Sequence, residues 1–122
     1  MENKTTILYV DDEPMNLKLF EINFSKKFNV ITALSGNEGL KVLAEKHHVV
    51  NVVISDMKMP GMNGIEFIKK AKSDYPDIKY FILTGFEITE EIAEALNNNL
   101  IQSYFQKPFN MQEIEESIFE FL

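Results

Sequence analysis

Short apolar runs and longer amphipathic segments alternate along this chain from end to end. The runs are Thr6–Val10, Asn51–Ser55, Tyr80–Leu83 and Leu100–Phe105, each of strand length. The first strand, Thr6–Val10, precedes a helix predicted from Pro14 to Lys27, with Pro14 in the first turn, where a missing N–H costs nothing. In that helix Leu17, Phe20 and Phe24 carry the three-to-four-residue spacing, and Leu19 and Ile22 broaden the stripe. A second strand, Asn29–Thr32, leads to Ser35 and Glu38, a capping-box pair opening a helix to Lys46. After the third strand, Val52–Ser55, Asn63 and Glu66 repeat that signature and open a helix to Asp74, stopped by Tyr75-Pro76. A fourth strand, Lys79–Leu83, and a fourth helix, Thr89–Asn97, follow, the latter stopped by Asn97–Asn99. The fifth strand, Leu100–Phe105, precedes a helix capped by Asn110 and Glu113, with Ile114, Ile118 and Phe121 on one face.

Five strands alternating with five helices predict an α/β fold: a doubly wound parallel sheet in a three-layer α/β/α sandwich, one domain over residues 1–122. The third and fourth strands lack polar alternation, as strands covered on both faces do. In a parallel sheet all carboxyl ends share one edge. Just past those ends stand Asp11-Asp12, Asp56, Thr84 and Lys107-Pro108. Carboxylates gathered at one edge repel one another and stay ionised when a cation neutralises them. The pattern therefore predicts a metal site with a hydroxyl and an ammonium beside it, equipment for handling a phosphoryl group.

Composition narrows the partners. The net charge is −7, and all 12 basic residues are Lys. With no Arg, the bidentate reader of phosphate and guanine is missing, so no direct nucleic-acid binding is expected. The absence of Cys excludes disulfides and thiolate metal sites. The segment Met1–Thr5 has no apolar signal region, and no run is long enough to cross a bilayer. No membrane insertion and a cytoplasmic location are expected.

The ordered set Asp11-Asp12, Asp56, the Met59–Gly64 segment, Thr84-Gly85 and Lys107-Pro108-Phe109 resembles the receiver domain of bacterial two-component response regulators, over essentially the whole chain. The resemblance implies a flavodoxin-like (βα)5 fold with strand order 2-1-3-4-5. It implies Asp56 as phosphoacceptor, a carboxylate nucleophile that becomes an aspartyl phosphate. It implies Mg²⁺ held by Asp12 directly, by Asp11 through water, by Asp56 and by the backbone carbonyl of Lys58. Lys107 matches the ammonium that pairs with Asp56 and then with the phosphoryl group, and its bond to Pro108 is expected to be cis. Thr84 matches the switch hydroxyl and Tyr104 the switch aromatic. The implied phosphodonor is a histidine kinase or a histidine phosphotransfer protein.

The implied output surface is the fourth helix, fifth strand and fifth helix, where Glu90, Glu91, Glu94, Glu113, Glu116 and Glu120 make an acidic face. That face would control an output domain or protein, and phosphorylation-dependent homodimerisation is left open. Such a protein is not an enzyme on an external substrate; it catalyses only its own modification and slow hydrolysis. The chain is read as a free-standing regulator or as a receiver excised from a longer hybrid sensor kinase or multidomain regulator.

Rival readings each lack a part. A phosphohydrolase of the haloacid dehalogenase class needs an acid two residues after its nucleophile, where this chain has Lys58. A flavin carrier needs a hydroxyl-rich loop after the first strand, where two carboxylates stand. A degenerate receiver used only for docking has no need of the complete residue set. His47 and His48 fall in a loop after the second helix, away from the active edge, and are read as loop residues without a special role. Lys58 and Phe86 are expected to flank the path of water attacking the acyl phosphate. The bulky apolar Phe86 does not orient that water, which predicts a long-lived phosphorylated state. Phe86→Glu should speed the loss of label from phosphorylated protein; an unchanged rate would remove the idea.

Overall fold

The computed structural model describes residues 4–85 and 88–122. Its elements in chain order are β1 (Thr6–Val10), α1 (Pro14–Phe24), β2 (Asn29–Ala33), α2 (Gly36–Lys46), β3 (Val52–Asp56), α3 (Gly64–Asp74), β4 (Lys79–Thr84), α4 (Glu90–Asn97), β5 (Ser103–Gln106) and α5 (Met111–Phe121). The strands form one parallel sheet in the order β2-β1-β3-β4-β5, the expected flavodoxin-like arrangement. The chain moves outward from β1 in one direction and from β3 in the other, so a topological switch point lies between their carboxyl ends.

Side chains alternate across each strand, and each face of the sheet has its own core. On one face Leu8, Val10 and Val53 meet Leu43 of α2, Ile65, Phe67, Ile68 and Ala71 of α3, and Ile92 and Ala95 of α4. On the other, Ile7, Tyr9, Ile54, Phe81 and Phe105 meet Phe20 and Phe24 of α1 and Ile114 and Ile118 of α5. Every residue of β1 and β3 is buried, the reason these runs show no polar alternation. The second core is an aromatic layer: Tyr9 stacks on Phe20 at 4.2 Å between ring centroids, and Phe20 on Phe24 at 4.4 Å. Most of the ten Phe are packing residues of this kind.

Local signals fixed most helix starts. Asn63 and Glu66 form a complete capping box on α3, and Asn110 accepts from the Glu113 amide at the start of α5. The Ser35 hydroxyl caps α2, but the Glu38 carboxylate reaches the Leu34 amide rather than that of Ser35, so this box is only half made.

Three further expectations need correction. The first helix ends at Phe24 rather than Lys27, because the chain tightens through Ser25–Lys27 to bring Phe28 into the aromatic core. Leu19 and Ile22 do not widen its buried stripe; Ile22 is 63% exposed, since burial follows only the line of Phe20 and Phe24. The fifth strand begins at Ser103, not Leu100. Asn99 adopts a left-handed conformation (φ 59°), and the Leu100 and Ile101 amides bond back to the Ala95 carbonyl, closing the end of α4.

This packing predicts a sharp contrast within one helix. Phe20→Ala should lower unfolding free energy by about 3–5 kcal/mol. Ile22→Ala should change it by no more than about 0.5 kcal/mol. Urea unfolding of the two variants checks both values.

Candidate functional site

Asp56 is the last residue of β3, Thr84 the last of β4, Asp11 follows β1 directly and Lys107 follows β5. Backbone bonds hold these ends in register: the Asp11 amide donates to the Ala33 carbonyl, that of Met57 to Leu83, and that of Lys107 to Thr84. The Lys107–Pro108 peptide bond is cis. Carboxylate oxygens of Asp11, Asp12 and Asp56 lie within 4.8 Å of one another. The Lys107 ammonium stands 3.1 Å from Asp56 Oδ1 and 3.5 Å from Asp11 Oδ2. Residues distant in sequence thus meet in one acidic pocket at the switch point.

The pocket is electrically demanding. Asp11 is fully buried and Asp56 only 6% exposed, so both carboxylates have lost most of their hydration. Burial pushes the Asp56 carboxyl above its usual range; Lys107 pulls it back, while Asp11 and Asp12 add to the rise. For Lys107, burial acts to lower the ammonium's pKa, but the bond and charge of Asp56 and the charge of Asp11 outweigh it, and the net shift is upward. Three carboxylates against one ammonium leave a formal charge of −2 when all are ionised. The donor set is entirely oxygen, the kind that suits Mg²⁺ or Ca²⁺ rather than a softer metal. These residues fit a small divalent cation.

Asp11 has the richest set of partners. Its Oδ2 accepts from the Tyr9 hydroxyl at 2.7 Å and from Asn16 Nδ2 at 3.1 Å, besides Lys107, and its Oδ1 accepts from the Glu13 amide at 3.0 Å. Burial, and then the bond to Asp11, raises the Tyr9 pKa far above that of a free phenol, so its hydroxyl stays a donor. Neither Tyr9 nor Asn16 was singled out from the sequence. A signal was present: Tyr9 stands two residues before Asp11, the spacing that puts side chains on the same face of an extended chain.

A family model covers the segment that carries these residues. The response regulator receiver domain model matches residues 7–119. The chain belongs to that family. Among relatives of this receiver, the hydrogenase transcriptional regulatory protein HoxA of Cupriavidus necator is 30% identical over 108 residues, 88% of this chain but 22% of HoxA. Sporulation initiation phosphotransferase F of Bacillus subtilis is 29% identical over 117 residues, covering 95% of this chain and 92% of that protein. Among solved structures, a response regulator receiver domain protein from Clostridium thermocellum superposes with a TM-score of 0.90 at 30% identity, covering 96% of this chain and 93% of that one. The chain spans about a quarter or less of the length of regulators such as HoxA. Receivers are regulatory modules of two-component systems.

Thr84 is buried at the β4 end. Tyr104, on β5 beside Ile82, is half-buried and packs against the core on the α4 side of the sheet. Lys58 is exposed in the loop after β3. Phe86 lies outside the described residues. Five of the six acidic-face residues, Glu90, Glu94, Glu113, Glu116 and Glu120, are exposed; Glu91 is half-buried and accepts from Asn63 Nδ2 at 3.4 Å. His47 closes α2 and stacks on Tyr75 at 4.7 Å.

Gly64, the last residue of the Met59–Gly64 segment, has a packing role that the sequence did not specify. It opens α3 against the backbone that carries Asp56, its amide donating to the Met57 carbonyl at 2.9 Å. A β-carbon there would overlap the Asp56 carbonyl oxygen and come within 2.8 Å of Ile82 Cδ1. Backbone cannot yield as a flexible side chain can. Gly64→Ala should therefore cost about 2–3 kcal/mol of stability and displace Asp56. Denaturant unfolding, with the Asp56 amide resonance as a local probe, checks both effects.

Proposed function

We propose that this receiver accepts a phosphoryl group on Asp56, from a histidine kinase or histidine phosphotransfer protein, in a Mg²⁺-dependent reaction. The observation that carries the reading is the meeting of Asp56 with Lys107 at 3.1 Å inside a three-carboxylate cluster. An Asp56 carboxylate oxygen attacks phosphorus; the new O–P bond forms as the N–P bond to the donor imidazole breaks. Asp12, Asp11, Asp56 and the Lys58 carbonyl would hold the cation, Asp12 directly and Asp11 through water. When bound, Mg²⁺ supplies charge neutralisation between the nucleophile and the incoming phosphoryl group. Lys107 holds Asp56 oriented beforehand and then pairs with a phosphoryl oxygen, a charge-assisted contact. The protein turns over no external substrate.

Phosphorylation adds about −1.5 to −2 charge and three acceptor oxygens to an already acidic pocket. Thr84, one strand over, donates a hydrogen bond to one of them, and Tyr104 moves into the space it leaves. The acidic surface of α4, β5 and α5 changes with them and controls an output domain or protein. Exposed glutamates there favour a basic partner and a salt-sensitive contact. We read the chain as cytoplasmic; among the described residues no helix is long and apolar enough to cross a membrane. The small share of HoxA that it covers supports a second reading, a module of a longer multidomain protein with the same chemistry.

Incubation with Mg²⁺ and acetyl phosphate, followed by intact mass, tests the reading. Wild type should gain one phosphoryl group, and Asp56→Asn none. Asp12→Ala and removal of Mg²⁺ by a chelator should each slow labelling by at least about tenfold. Equal labelling of Asp56→Asn and wild type would overturn the assignment.

A further inference from the structure

We propose that Tyr9 is a positioning residue of the cation site: its buried hydroxyl, with Asn16, fixes the Asp11 carboxylate so that Oδ1 is left to face the cation. The proposal rests on the reading that the three-carboxylate cluster seats a divalent ion. An ionised carboxylate offers about two lone-pair sites per oxygen. Among the described residues, three donors converge on Asp11 Oδ2, from Tyr9, Asn16 and Lys107, whereas Oδ1 takes only the Glu13 amide. Capacity for a further electrophile therefore lies on Oδ1. Lys107 is shared with Asp56 and turns to the phosphoryl group during the reaction, and Asn16 is half-buried, open to competition from water. Tyr9 is the one donor to Oδ2 that is fully buried, its ring held in the stack with Phe20.

The hydroxyl has no other task that the ring would not perform. The aromatic face of Tyr9 fills the layer between β1 and α1, and phenylalanine would fill it equally well. A tyrosine here introduces a polar atom into an apolar core, which is tolerated because the atom is bonded to Asp11. Groups that orient a metal-binding carboxylate from behind commonly change metal affinity by 10–100-fold when removed.

Tyr9→Phe keeps the ring and removes only the bond, so the fold is retained and the site is tested alone. Mg²⁺ titration followed by amide shifts should show wild-type binding and a Kd about tenfold weaker in Tyr9→Phe. In an Asp11→Ala background the same substitution should change the Kd by less than about twofold, because the route through Asp11 is gone. In metal-free protein, Tyr9→Phe should also move the Glu13 amide resonance, whose acceptor is Asp11 Oδ1. A Tyr9→Phe Kd within about twofold of wild type, or an undiminished loss in the Asp11→Ala background, would overturn the proposal while leaving the cation reading intact. A wild-type protein that binds no Mg²⁺ would overturn both.

Discussion

Two carboxylates removed from water at one sheet edge set the electrostatic problem that the surrounding structure answers. Asp11 is fully buried and Asp56 nearly so, and an unpaired buried charge costs several kcal/mol. Around Asp11 the answer is hydrogen bonding: a phenol from β1, an amide side chain from α1 and the backbone N–H of Glu13. Around Asp56 the answer is charge, supplied by Lys107. The two solutions differ in kind. Lys107 also reaches Asp11 Oδ2 at 3.5 Å, so the one ammonium ties the two carboxylates together.

The scaffold follows from this division. β1 and β3 are buried on both faces, so their carboxyl ends are anchored in the core. The aromatic layer of Tyr9, Phe20 and Phe24 braces β1 against α1 and places the Tyr9 hydroxyl at the back of Asp11. Gly64 lets α3 start directly on the backbone of Asp56 and Met57. On the opposite side, the Asn63 amide that opens α3 also reaches Glu91 of α4.

Family relationships agree with a pocket that is assembled from one chain. The side chains that meet there come from residues 9–107, within the span matched by the receiver model. Relatives include a phosphotransferase of nearly equal length and a transcriptional regulator several times longer. A self-contained site is what allows the same module to occur in both settings.

Period and punctuation in the sequence determined the element order, the two-sided burial of β3 and β4 and the placement of Asp11, Asp12, Asp56, Thr84 and Lys107 at one edge. These depend on local periodicity and on the rule that parallel strands share a direction. Helix ends and the start of β5 were less legible, because the left-handed turn at Asn99 and the inward pull of Phe28 compete with propensity. The exposure of Leu19 and Ile22 was invisible for a similar reason: periodicity marks apolar residues, but only packing selects which of them face the sheet. Tertiary structure alone decided that Lys107 divides itself between two carboxylates and that Gly64 abuts the Asp56 carbonyl. Those are distances between side chains and backbone from different elements, and no one-dimensional pattern encodes them.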